Sequence, residues 1–280
     1  MPVKKHKDID LGRSLKSFFE LPDWQERTLF IGGLFVGLML LYVLFLVTMF
    51  IPLIGIIASC CFLVMFPLVS MAVNFYVDGY RTELTDALVA GKTADSVRVS
   101  GNYQERIITG FKLGVSNLIY NIPLILLYVV GYVMLIAPVF AVSIGSAAND
   151  ELSGLAMLTL LSTTLMFYVF ILIGWFWQIV QMYLIYPVMF IFFRKERSIR
   201  DALRVRKMVS FVRNNYMNVL IYSLVMLGIA LLFGMAMMVS VLLVFLCIGI
   251  IIAPVVFAVG TTYTIHLQAD MLAQMERNSR

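Results

Sequence analysis

Charge is scarce in this chain, and it is confined. Asp, Glu, Lys and Arg together make up 13% of 280 residues, about half the share a soluble domain carries. No Lys or Arg lies between Thr28 and Val77, between Leu113 and Phe193, or between Asn214 and Glu276. Runs this long, far beyond the about 20 apolar residues that cross a bilayer, exclude a single soluble domain. Histidine is nearly absent, with two residues, and cysteine is limited to Cys60, Cys61 and Cys247, all inside apolar runs. An odd number with an adjacent pair makes no disulfide framework. Ile57-Ala58-Ser59-Cys60 has the look of a lipoprotein cleavage box. A complete span precedes it, whereas a signal peptide occupies about the first 15–30 residues, so lipidation at Cys60 is not expected. Zinc spacings, phosphate loops, nucleophile elbows and His-rich clusters are also missing. The chain therefore reads as not an enzyme, with no metal and no cofactor.

Apolar residues, at 61%, fill the space charge has left. All 21 basic residues fall in segments 1–27, 78–112, 194–213 and 277–280. The expected fold is all-α, a polytopic transmembrane helical bundle with every basic segment on one side. By the positive-inside rule that side is cytoplasmic, which implies a multi-pass protein of the cytoplasmic (inner) membrane with both termini inside. The net charge of +5 lies beside membrane ends, where it meets anionic lipid, not on a surface suited to nucleic acid.

Along the chain, residues 1–27 form a cytoplasmic N-terminal segment. Leu11, Leu15, Phe18 and Phe19 share one helical face flanked by Arg13 and Lys16. Together with Lys4, Lys5 and Lys7 they suggest a helix lying in the interface; a cap packed on the protein's own loops fits equally well. Residues 28–272 hold six spans, with inner loops at 78–110 and 194–213, and 273–280 form a cytoplasmic tail. The first span carries Gly33-x-x-x-Gly37, which permits close helix contact. The second contains Pro67, expected to kink it. Asp150 and Glu151 mark an outer loop. Residues 154–193 could in length form two spans, about 60 Å of helix. Two spans would put the Arg-rich 194–213 segment outside, so one crossing with an inner extension is expected, bent near Gly174 or Pro187. Tyr216 to His266 has room for two more spans, with a turn near residues 239–245.

Ordered matches suggest an internal duplication of Pro-bearing hairpins. Phe66-Pro67-Leu68-Val69 pairs with Tyr186-Pro187-Val188-Met189. Leu84-Thr85-Asp86-Ala87-Leu88 with Lys92 pairs with Ile199-Arg200-Asp201-Ala202-Leu203 with Lys207, and Leu118-Ile119-Tyr120 pairs with Leu220-Ile221-Tyr222. Such units would be parallel repeats about an axis along the membrane normal. Ala253-Pro254-Val255-Val256 begins a truncated third copy.

Ionisable groups within spans usually mark function, because burying them is costly; none lies clearly mid-span. His266 and Asp270, one turn apart, form a candidate pair, read as a helix-end contact. Gln178 and Gln181 share a face among Trp175, Trp177 and Tyr183. With Asn121 and Asn74 they are the candidate polar intramembrane niche, although amides in lipid normally bond a neighbouring helix. Arg197, Arg200, Arg204 and Lys207 recur at helical spacing as a candidate basic stripe for lipid phosphate or an acidic partner. Asp86 and Asp201 read as structural.

The run Asp78-Gly79-Tyr80-Arg81, then Gly110-Phe111-Lys112 and Leu118-Ile119-Tyr120-Asn121-Ile122-Pro123, resembles a group of prokaryotic membrane proteins called domain of unknown function 4013. The resemblance covers about residues 15–235. It departs at Val97–Tyr103, where the family's usual Leu-Pro is missing. It implies a prokaryotic cell membrane and no activity.

The expected function is a non-enzymatic membrane scaffold or accessory subunit organising a membrane complex or lipid. Its partners would be membrane lipids and either other membrane subunits or a homo-oligomer, with no nucleic acid. The alternative is a transporter or lipid-handling protein built around the polar niche.

Overall fold

A computed structural model of the protein describes residues 9–48, 52–145, 153–243 and 248–279, with the side chains of 52–60, 137–145, 153–157, 160 and 250 excepted. Lys4, Lys5, Lys7, Ile51, Asp150, Glu151 and Cys247 lie outside the described residues, as does the side chain of Cys60.

The described chain is helical almost throughout. A short α1 (Leu11–Ser17) leads to α2 (Trp24–Arg27), a π-helical turn (Thr28–Gly32) and α3 (Gly33–Thr48). Then come α4 (Pro52–Val89), α5 (Tyr103–Gly145) and α6 (Ser153–Val180). A second π-helical turn (Gln181–Ile185) joins α6 to α7 (Tyr186–Glu196), followed by the short α8 (Ile199–Ala202) and α9 (Val205–Asn214). The last two helices are α10 (Tyr216–Leu242) and α11 (Gly249–Ser279). Among the described residues, six stretches are long and apolar enough to cross a membrane: Trp24–Thr48, Cys61–Val89, Tyr103–Ile136, Leu161–Glu196, Tyr216–Leu242 and Ile251–Ser279. The protein is an all-α, multi-pass integral membrane protein.

Residues 154–193 make one crossing, as the charge argument requires. A π-helical turn at Gln181–Ile185 lies within this stretch, directly ahead of Pro187 and away from Gly174. Pro187 explains that position: a proline ring crowds the carbonyl four residues back and supplies no N–H, and a wider turn absorbs both faults.

The helices outrun the bilayer. At 1.5 Å per residue α4 is about 57 Å long, against a hydrocarbon core of about 30 Å. The excess changes the reading of the first inner loop. Residues 78–89 belong to α4 and 103–110 to α5, leaving only 90–102 as loop. That loop turns through Gly91, Gly101 and Asn102, all with positive φ, and a 3-10 turn at Ala94–Ser96.

The chain divides into two units, residues 1–115 with 187–280, and residues 116–186. In the first unit α4, the first π turn and α10 pack on α11. Its buried core joins Ile31, Tyr76, Val77, Tyr80 and Leu84 of the first two spans to Val97 and Val99 of the loop and Ile265 and Ala269 of α11. In the second unit Gly131 faces Phe167 and Phe170, and Gly174 faces the Tyr128 ring, so glycines seat aromatic side chains between α5 and α6.

Close helix approach occurs where the small-residue motif did not predict it. A Cβ on Gly33 or Gly37 would meet nothing within 4 Å. One on Gly32 would come within 2.5 Å of Ala258 on α11. Gly79 lies against the Arg106 backbone and Gly110 against the Phe75 backbone, so α4 and α5 cross at these two glycines. Local structure does not repeat between the proposed copies either. α4 runs unbroken from Pro67 through Asp86, whereas after Pro187 the chain breaks into α7, α8 and α9.

Candidate functional site

Charged side chains in the first unit converge at one end, where they are buried. Arg27 is fully enclosed. Its Nε donates to Asp23 at 2.8 Å, one Nη donates to the Tyr80 hydroxyl at 2.6 Å, and the other reaches the carbonyls of Ala94 and Val97 at 3.1 and 3.0 Å. Because the Tyr80 oxygen accepts from Arg27, its proton is free to donate to His266 Nε2, 3.1 Å away. That bond requires Nε2 to be the unprotonated nitrogen of the ring.

Arg106 repeats the arrangement on the other side of the same loop. It pairs with Glu83 at 2.8 Å, donates to the Tyr76 hydroxyl at 2.7 Å and reaches the carbonyls of Val99 and Arg98 at 2.5 and 2.7 Å. Its guanidinium also lies 5.4 and 5.1 Å from the ring centres of Tyr76 and Tyr80. The loop has few backbone bonds of its own, so two arginines satisfy four of its carbonyls. Buried carbonyls must find donors somewhere, and here they come from helix side chains.

Two further arginines tie helices together. Arg81 donates to Gln268 of α11 at 2.7 Å, bonds Asp78 and stacks 5.3 Å from the Phe190 ring centre. Arg194 bridges Asp86 and Glu276, linking α7, α4 and α11. Glu276 is completely buried. Buried charges are tolerated only when paired and hydrogen-bonded, and these four arginines meet that condition.

The N-terminal helix docks on α11. Asp10 caps it, accepting from the Arg13 N–H at 3.1 Å. Ser14 donates to Asp270 at 2.7 Å and accepts from Gln274 at 2.8 Å. Phe18 is buried against His266 and Tyr263, while Phe19 stacks on Tyr263 with ring centres 5.4 Å apart. The face that docks is thus Ser14 with Phe18. Leu15 and Phe19 stay 39% and 51% exposed, and Leu11 is half-buried. The helix caps its own protein on one side and presents apolar residues on the other. His266 and Asp270 do not pair: His266 is held by Tyr80 and Asp270 by Ser14 and Gln274.

Next to His266 is a cavity of about 370 Å³. Arg13, Lys92 and Arg277 line it together with Glu20, Asp95 and Asp270. The Thr93 hydroxyl, bonded to Asp95, holds that carboxyl below the usual range.

The candidate niche divides. Gln181 is buried and donates to the Asn117 side chain at 2.9 Å, and Asn121 donates to the Asn117 carbonyl at 3.1 Å. Asn117, missed in the sequence, is therefore the centre of this cluster in the second unit. Gln178 is exposed, so it does not join. Asn74 bonds Ser70 one turn back on α4 at 2.7 Å. The Gln181 Oε1 and the Trp177 Nε1 are buried without partners.

The basic stripe does not form on one helix. Arg197 has φ of 47°, which ends α7; Arg200 lies on α8; Arg204 caps α9; Lys207 lies within α9. Arg197 pairs with Glu105 at 2.7 Å and Asp86 at 3.2 Å, and Arg204 with Asp201 at 2.8 Å. Arg200 and Lys207 remain exposed without ion pairs among the described residues.

Comparison with known proteins gives one result of substance. The family model described as "Protein of unknown function (DUF4013)" matches residues 62–245, and the chain belongs to that family. No curated protein and no solved structure matches. The match takes in Gly79, Tyr80, Arg81, Gly110 and Arg194 but leaves their partners Arg27, His266 and Glu276 outside it.

Proposed function

We propose that this protein is a non-enzymatic scaffold or accessory subunit of a prokaryotic cytoplasmic membrane, with both termini in the cytoplasm. The observation that supports this reading is the closed ionic core. Arg27, Arg81, Arg106 and Arg194 each spend their charge on internal partners. They bind the N-terminal segment, loop 90–102 and the end of α11 into one body. A transport pathway would instead place ionisable groups mid-span, facing a cavity. Among the described residues, Arg13, Lys92 and Arg277 meet around one cavity and Arg194 and Arg197 share Asp86, and this gathering of basic segments agrees with a cytoplasmic face. Its partners would be membrane lipids and other membrane subunits or a second copy, and no nucleic acid.

Extraction in mild detergent should recover stoichiometric partner chains or a homo-oligomer. Recovery of a lone monomer whose stability responds to a transported solute would overturn the proposal. Reporter fusions at each terminus should read cytoplasmic; an external reading at either would refute the topology.

One observation favours a second reading. The unpartnered Gln181 Oε1 and Trp177 Nε1 sit beside Asn117 and Asn121 in the second unit. A transporter or lipid-handling protein would use such a niche for a solute or headgroup. Solvent-accessible labelling of a cysteine placed at Gln181 would support it, and protection from label would remove it.

A further inference from the structure

The stripe's dispersal leaves Lys207 facing a different partner set. α7 and α9 enclose an open cleft of about 580 Å³ lined by Phe192, Lys195, Lys207, Ser210, Asn215 and Ser279, among others. Lys195 and Lys207 are exposed and form no ion pair among the described residues. This contrasts with the four buried arginines, each of which is paired. The Lys195 ammonium lies 5.7 Å from the Phe192 ring centre, which positions it at the cleft wall.

Asn215 also lines the cleft. It is 8% exposed, and its Nδ2 donates to the Phe211 carbonyl at 3.1 Å. Its Oδ1 is buried with no donor, as is the Oδ1 of Asn218 one turn further on. Those two oxygens are sealed from the cleft and Asn218 does not line it, so the recognising groups are the two lysines, which ask for a ligand with an anionic phosphate.

The cleft's place in the chain says where that ligand resides. α10, a membrane-crossing helix, begins at Tyr216 directly after Asn215, and Tyr216 and Met217 are 67% and 50% exposed. On α9 itself Val205 and Val209 are exposed beside Arg206 and Arg213. An apolar edge flanked by basic residues is the pattern of a helix lying in the headgroup layer. We infer that the cleft between α7 and α9 binds the headgroup of an anionic glycerophospholipid such as phosphatidylglycerol. Lys195 and Lys207 take the phosphate, and Ser210 and Ser279 complete its hydrogen bonding. The inference rests on the proposed membrane reading and names one lipid partner of it.

The test is native mass spectrometry of the full chain in neutral detergent, titrated with phosphatidylglycerol, phosphatidylcholine or sn-glycerol 3-phosphate. The wild type should retain phosphatidylglycerol about tenfold better than phosphatidylcholine, in keeping with the attraction of clustered Lys for anionic headgroups. Lys195→Gln with Lys207→Gln should abolish that preference. Arg200→Gln, which removes an exposed cation outside the cleft, should leave it intact. An unchanged preference in the double variant, or an equal loss in Arg200→Gln, would overturn the site. Equal retention of free glycerol phosphate would overturn the lipid assignment. If the double variant does not fold, Lys207→Glu alone gives the same readout. Because the measurement is made in detergent, its outcome is independent of topology and of partner recovery.

Discussion

The membrane-crossing part of the first unit and its polar end are built on opposite rules. Along the spans, large apolar side chains such as Leu44, Leu63, Leu231 and Ile251 face outward and glycine sets the close contacts. At the polar end Arg27, Arg106, Asp270 and Glu276 face inward, and the exposed positions go to Lys92, Arg98 and Arg200. Lipid explains the first rule, since an outward Leu is at no disadvantage in hydrocarbon. The second follows from helices such as α4 and α11, of 38 and 31 residues, running past the bilayer. Their polar ends have no lipid to cover them, and they cover one another with ion pairs. α11 belongs to both regimes: 39% of its most apolar window is buried, against 6–11% for the other five spans.

Substitutions at the polar end should therefore cost most. Arg27→Met leaves Asp23 unpaired and the Val97 carbonyl without a donor; breaking a buried pair in this way costs about 3–5 kcal/mol. A melt of the purified protein in detergent should show the largest drop of any variant here, and a melt matching wild type would refute the ionic core. Next in size is Gly79→Ala, whose methyl meets the Arg106 backbone, at about 1–3 kcal/mol for overpacking. Gly33→Ala and Gly37→Ala sharpen the comparison, because both positions are open; their stabilities should stay within about 0.5 kcal/mol of wild type. If Gly33→Ala destabilises as much as Gly79→Ala, the helix contacts are misplaced. Gln181→Leu removes one interhelical amide bond in the second unit, typically worth about 0.6 kcal/mol. Among the ion-pair variants the smaller effect belongs to Arg197→Gln. Its side chain is 43% exposed and its pair with Glu105 is a surface bridge, so a loss above about 1 kcal/mol would show that it belongs to the core.

Much of this was legible in the sequence, for a reason tied to solvent. A bilayer demands about 20 apolar residues per crossing, so the runs between basic segments announce the spans. The same charges resolved residues 154–193 into one crossing. Sequence could not say which basic residues are consumed internally. Arg27 and Lys92 look alike beside an apolar run, and only the fold puts Tyr80 and two loop carbonyls around one of them. Glycine spacing misled for a related reason: Gly33-x-x-x-Gly37 fixes a shared face but not whether a neighbour occupies it. The basic stripe failed because helical spacing was assumed to persist through Arg197 and Arg204. Ser198, a favoured residue for starting a helix, was the available sign of a break. The glycines, Tyr80 and Arg81 were within the run that carries the family resemblance, and the structure gives them a physical task as the crossing of α4 on α5 and the link to α11.

Trypsin digestion tests the central claim most directly, because loop 90–102 carries exposed cleavage sites at Lys92 and Arg98. Cleavage of a folded segment follows the population of its opened form when closing is fast. In nanodiscs, the wild-type loop should resist trypsin, and Arg27→Met should be cut after Lys92 and Arg98 at least about tenfold faster, as loss of more than 1.4 kcal/mol of local stability requires. Equal cutting of the two proteins would contradict the account, since the loop would then owe nothing to the buried arginine beneath it.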